Sequence, residues 1–123
     1  MTMNPNLPSS VSTIVLGVDD LDASVAFYQD VLELELKGQH GSLAFLALGD
    51  LMLMLNAELG KLYTPIAGAV EVVMPVRSVT AAHTLLTERG CAFLNKPREV
   101  IPGSWGTTFT DPDGHKLTLM GGR

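Results

Sequence analysis

Glu71 is the residue in this chain whose chemistry most needs explaining. It interrupts an otherwise apolar run, with Val70 and Val72 on either side and Val73, Met74 and Val76 following. A carboxyl group turned inward from such a run loses hydration, which raises its pKa unless a cation or a donor compensates. That would suit a general acid or base, or an anchor for a basic ligand group. A structural ion pair, for instance with Arg98, is a third option, and residue type alone leaves all three open. The three histidines offer less. His40 falls in an expected turn, His83 on an expected helix and His115 beside the Asp113-Gly114 turn, so they do not converge as a three-histidine zinc site requires. Gly103, Gly106 and Gly114 follow no phosphate-loop spacing and read as turn glycines.

The strand that carries Glu71 decides where the carboxyl points, and its pattern occurs twice. Thr13-Ile14-Val15-Leu16-Gly17-Val18 superposes without a gap on Glu71-Val72-Val73-Met74-Pro75-Val76. The register continues, with Leu21 on Val79, Ala23 on Ala81, Phe27 on Leu85 and Tyr28 on Leu86. A repeat of half the chain implies two similar modules around a shared site rather than a solenoid. In the first module Val11 to Val18 reads as a strand, and Asp19, Asp20 and Asp22 offer helix N-caps. Leu21, Val25, Tyr28 and Leu32 then follow at helical spacing. Leu34 to Lys37 reads as a short strand and Gly38 to Gly41 as a turn. Ser42 to Leu48 and Leu51 to Leu55 form a hairpin about Gly49-Asp50. The second module repeats this with a strand over Val70 to Val76, a helix from Val79 to Glu88 and Gly90 as its stop. Cys91 to Leu94 is a strand, a Pro-rich loop follows, and Gly106 to Thr110 pairs with Lys116 to Met120 about Asp111-Pro112-Asp113-Gly114.

The expected fold is therefore α+β: two βαβββ modules, eight strands in all, with a helix on the outer side of each sheet. Module 1 spans about 11–56 and module 2 about 69–121, joined by a linker over 57–68. Together they form a single domain over 11–123, with residues 1–10 as a flexible tail. A chain of 123 residues with 46% apolar content can build one core without staples. The single cysteine, Cys91, can form no internal disulfide, which suits a reducing compartment such as the cytoplasm. Met1 to Ser10 has neither the charge nor the apolar run of a signal peptide. The longest apolar stretches fall far short of the ~20 residues of a membrane span. A net charge of −5 with eight scattered Lys and Arg argues against nucleic acid as a partner.

These modules, with Val18-Asp19-Asp20-Leu21, Phe27-Tyr28, Val31-Leu32-Glu33-Leu34, Trp105-Gly106 and Asp111-Pro112-Asp113-Gly114-His115-Lys116-Leu117, resemble the vicinal oxygen chelate superfamily. That group includes glyoxalase I, extradiol dioxygenases, fosfomycin resistance proteins and bleomycin-binding proteins. The resemblance spans roughly residues 11 to 121 and implies modules curled into a cupped eight-stranded mixed sheet, often completed across a homodimer. In metal-dependent members, side chains from four strands hold one divalent cation, and matching those strands puts the slots at Thr13, Leu53, Glu71 and Thr118. Only Glu71 is a strong ligand, and one carboxylate beside two hydroxyls and an aliphatic residue is a poor metal site. At Thr118 the surrounding segment resembles the fosfomycin resistance proteins, whose pattern has a ligating Glu there. No metal and no cofactor are expected.

Alternation along the strands adds the rest of the lining: Thr13, Val15, Leu51, Leu53, Leu55, Glu71, Val73, Thr108, Thr118 and Met120 on the cup face. Ile14, Leu16, Val18, Met52, Met54, Val72, Met74, Val76, Leu117 and Leu119 are expected to lie under the helices. Leu51, Leu53 and Leu55 could equally fill a core. Trp105 could stack on a flat ligand or pack at the hairpin mouth. The ligand-binding set is then Thr13, Val15, Leu53, Glu71, Val73, Trp105, Thr108 and Thr118. The first expectation is a metal-free protein that binds a small organic ligand, similar to the bleomycin resistance branch. A metal-free isomerase, cyclase or lyase with Glu71 as catalytic acid or base is the second, and a metal-dependent dioxygenase, lyase or thiol transferase the third.

Overall fold

The computed structural model describes residue 6, residues 11–59 and residues 70–123. The expected tail, apart from residue 6, and most of the expected linker lie outside the described residues. Two mixed sheets carry the fold. The first has the order β1 (Thr13–Gly17), β4 (Leu51–Asn56), β3 (Leu43–Leu48), β2 (Leu36–His40). The second runs β5 (Glu71–Ser78), β9 (Lys116–Gly122), β8 (Ser104–Thr110), β6 (Ala92–Phe93), with β7 (Arg98–Ile101) also pairing with β8. In each sheet the first strand of the module lies parallel to the last and the hairpin pairs antiparallel, so the duplicated sequence gives a duplicated topology.

Helix α1 (Leu21–Ala26) starts at Asp20, whose carboxylate accepts the Ala23 amide at 3.1 Å. Helix α2 (Val79–Glu88) starts at Ser78, which accepts from the Ala81 amide at 3.1 Å. Both are side-chain N-caps, satisfying an amide the first turn cannot. The first helix was expected to run unbroken to Leu32, but it widens to a π turn over Phe27–Val31 and ends at Glu33, which takes φ 60°. Arg89 of the second module braces this corner, donating from Nη1 to the Val31 carbonyl and to Glu33, both at 2.7 Å.

Two strand boundaries differ from the sequence reading. Strand β2 begins later and takes in most of the expected turn, with an irregularity between Leu36 and Gly38. The Pro-rich loop contains β7, an extra edge segment on β8.

A single apolar core joins the modules. Leu16, Leu46, Leu53 and Leu55 of the first sheet pack in one cluster with Phe109, Leu117 and Leu119 of the second. Phe27 meets Phe109 at 6.4 Å between ring centroids. Since strand side chains alternate, the opposite faces of both sheets look away from this core.

Candidate functional site

Strand register sorts the expected site residues. On β5 and β9, Glu71 lies opposite Lys116, Val73 opposite Thr118 and Pro75 opposite Met120. Thr118 lies opposite Thr108 on β8. Glu71, Val73, Thr108 and Thr118 therefore share the face that looks away from the core, as alternation requires.

These side chains touch. Thr118 donates its hydroxyl hydrogen to Glu71 Oε2 at 3.0 Å, and its oxygen lies 2.8 Å from that of Thr108. A threonine hydroxyl carries one hydrogen, and that of Thr118 is committed to the carboxylate. Thr108 must then donate to Thr118, so the proton order is fixed as Thr108 to Thr118 to Glu71. Thr118 is 8% exposed, whereas Glu71 is exposed. The carboxyl is therefore neither buried nor without a donor. Arg98 lies opposite Gly106 on the same face, and among the described residues neither it nor Lys116 forms an ion pair with Glu71.

On the first sheet the sequence reading needs a correction. Thr13 is in register with Met52 and Val15 with Met54, while Leu53 aligns with Ile14 and Leu55 with Leu16. Leu53 is 2% exposed and belongs to the core. The slot assigned to it falls on Met54, because Val15 and Met54 stand in the relation of Val73 and Thr118. Phe45, opposite Met54, then takes the place of Thr108. Phe45, Met52 and Met54 are thus site-face residues that sequence reasoning missed. Both faces of β3 and β4 are apolar, so alternation carried no signal; the pairing of β4 with β1 supplies it.

Trp105 also moves. It alternates with Gly106 and Thr108, lies on the core-side face and carries the Arg123 guanidinium over its ring at 5.0 Å.

The histidines are accounted for. His83 packs on Phe93, with ring centroids 4.2 Å apart. His115 donates from Nε2 to the Gly17 carbonyl at 2.7 Å, which fixes a hydrogen on that nitrogen because a carbonyl only accepts. His40 ends β2 opposite Leu43, on a strand rather than in the expected turn. Burial pushes the Cys91 thiol pKa up, which disfavours its thiolate.

The residues present do not fit a metal. The second sheet offers one carboxylate and two neutral threonine hydroxyls, which are weak ligands. The first offers Thr13, two thioethers and the Asn56 amide, with His40 at the far edge on β2. Among the described residues no group of three or more His, Cys, Asp or Glu could hold an ion. A groove of about 670 Å³ lies elsewhere, between the modules, lined largely by apolar residues such as Leu34, Leu51, Met74 and Leu86 and by the Arg89–Glu33 pair.

Residues 10–119 match the family model described as Glyoxalase/Bleomycin resistance protein/Dioxygenase superfamily. Metallothiol transferase FosB of Staphylococcus epidermidis is 31% identical over 122 residues, spanning 93% of this chain and 82% of that protein. Among solved structures, a glyoxalase/bleomycin resistance protein/dioxygenase from Nocardioides superposes with a TM-score of 0.81 at 22% identity, covering 94% of this chain and 85% of that one. TnmS3, an antibiotic binding protein from Streptomyces sp. CB03234, gives 0.78 at 24% identity, covering 94% and 98%.

Proposed function

This chain belongs to the Glyoxalase/Bleomycin resistance protein/Dioxygenase superfamily, and on that premise we propose that it is a metal-independent binding protein for a small organic molecule. The ligand sits between the Glu71 face of one sheet and the Met54 face of another, in cups completed by a homodimer. The observation that carries this reading is the Thr108–Thr118–Glu71 chain. At the positions matched to the metal-dependent members' ligands on the second sheet, this protein has a hydrogen-bonded carboxylate and hydroxyl, and the equivalent face of the first sheet carries thioethers and an aromatic ring. The antibiotic-binding relative of the same fold supports a sequestering role, which would confer resistance if the ligand is an antibiotic. The net charge of −5 supports a ligand other than nucleic acid. Among the described residues no helix is long and apolar enough to cross a membrane, and the cytoplasm is the proposed location.

Elemental analysis of the purified protein tests the metal-independent reading. No stoichiometric metal is expected, and ligand affinity should be unchanged by a chelator. About one Zn, Mn, Ni or Fe per chain, retained through dialysis, would overturn it. The exposed Glu71 favours a second reading, a metal-free isomerase, cyclase or lyase. Only its Oε2 is held by Thr118, and the other oxygen is placed to take a proton. In that case Glu71→Gln would lower turnover more than binding, because the lost interaction belongs to the transition state.

A further inference from the structure

The fixed proton order has a consequence for what the cup can hold. Thr118 spends its hydrogen on Glu71 and Thr108 spends its own on Thr118, so these three side chains present only acceptors. These are the free lone pairs of Thr108 and the carboxylate of Glu71. Two cations share the face, Lys116 directly opposite Glu71 at the start of the strands and Arg98 opposite Gly106 at the edge, and neither forms an ion pair with Glu71 among the described residues. The positions of the first sheet corresponding to Thr108, Thr118 and Glu71 hold Phe45, Met54 and Thr13, with Met52 and Val15 beside them. Thioethers and a phenyl ring favour a flat, polarizable partner. From this contrast we infer that the ligand is a planar aromatic compound whose polar edge carries hydrogen-bond donors, N–H or O–H, and not an anion at that edge. The inference rests on the binding reading above and adds the chemical class of the ligand.

Three probes with one ring system isolate the donor: 2-naphthylamine, 2-methylnaphthalene and 2-naphthoate, titrated calorimetrically into the purified protein. The amine is expected to bind about tenfold or more tighter than the methyl compound, the scale of one charge-assisted hydrogen bond, with naphthoate weakest. Glu71→Gln keeps an acceptor for Thr118 but turns an amide N–H₂ outward. It should erase the amine's advantage and raise naphthoate affinity, while circular dichroism stays unchanged because Glu71 is exposed. Phe45→Ala should weaken the amine and the methyl compound by similar factors. Equal affinity for all three probes, naphthoate binding tightest, an amine preference surviving Glu71→Gln, or no binding of any probe would each overturn the inference. The metal analysis uses none of these probes, so the two readings fail separately.

Discussion

The hydroxyl of Tyr28 joins the two modules through one oxygen. It donates at 2.7 Å to Asp111 Oδ2, and Asp111 Oδ1 accepts the amides of Asp113 and His115 at 3.0 and 2.8 Å. Tyr28 is 1% and Asp111 5% exposed, so neither has water as an alternative partner. Removing the hydroxyl leaves a buried carboxylate short of a donor, and Tyr28→Phe should cost about 1–3 kcal/mol in urea unfolding at neutral pH. Burial, and then the adjacent Asp111 carboxylate, push the Tyr28 phenol pKa far above its ordinary range. An unfolded phenol loses its proton near pH ~10, while the folded one keeps it. Above that pH the unfolded state binds fewer protons, so stability falls as pH rises, by about 1.4 kcal/mol per pH unit from this group. The Phe variant lacks the term. The gap between the two proteins should therefore narrow between pH 10 and 11, and a gap constant with pH would show that Tyr28 titrates normally when folded.

Among the elements, the β5–β9 pair is held to its register by Gly121. A Cβ there would fall 1.8 Å from the Val76 carbonyl oxygen, a backbone atom that cannot step aside, whereas one at Gly38 would meet nothing within 4 Å. Gly121→Ala should destabilise by about 1–3 kcal/mol or more, as overpacking does, and Gly38→Ala should be near neutral. Equal midpoints in thermal unfolding would contradict this. The duplicated strands and helices were legible in the sequence because their apolar periodicity and caps are local signals. The relation between modules was not. Asp111, Asp113 and His115 read as hairpin residues, yet they latch onto the first module: Asp113 accepts from the Asp19 amide at 2.8 Å and from Ser24 at 3.1 Å. The repeat places Ala82 where Ser24 stands and Leu86 where Tyr28 stands. The turn facing them, Leu48-Gly49-Asp50-Leu51, has a carboxylate in Asp50 but no hydroxyl from Ala82 or Leu86 to accept. The apolar groove occupies that second location, so one interface between modules of like topology is closed by hydrogen bonds and its counterpart is open. Glu71 stood out because a carboxylate interrupts an apolar run, and alternation sufficed to set Thr108 and Thr118 on its face. Met54 did not stand out, because in a strand apolar on both faces a shift of one position leaves the pattern unchanged.

At the scale of the whole molecule, the shared core decides how a cup can close. Since Leu53 and Leu117 face the same cluster, the Thr13 and Glu71 faces of one chain look away from it. Val15 is 42% and Val73 49% exposed on those faces, and Leu94, Val100 and Ile101 at the β6–β7 edge are exposed as well. Aliphatic residues exposed together on a site face call for a partner surface. On the reading proposed above, a second copy would supply it by isologous pairing, setting the Met54 face of one chain against the Glu71 face of the other and generating two equivalent cups. Light scattering at micromolar concentration should give twice the 13.1 kDa chain mass. Val15→Glu, which buries a charge in that pairing, should weaken self-association by about tenfold or more while leaving the far-ultraviolet spectrum unchanged. Probe binding should fall with the dimer population, because each cup needs walls from both chains. A stable 13.1 kDa species that still binds the aromatic amine would place the whole site within one chain, and the shared cup would be wrong.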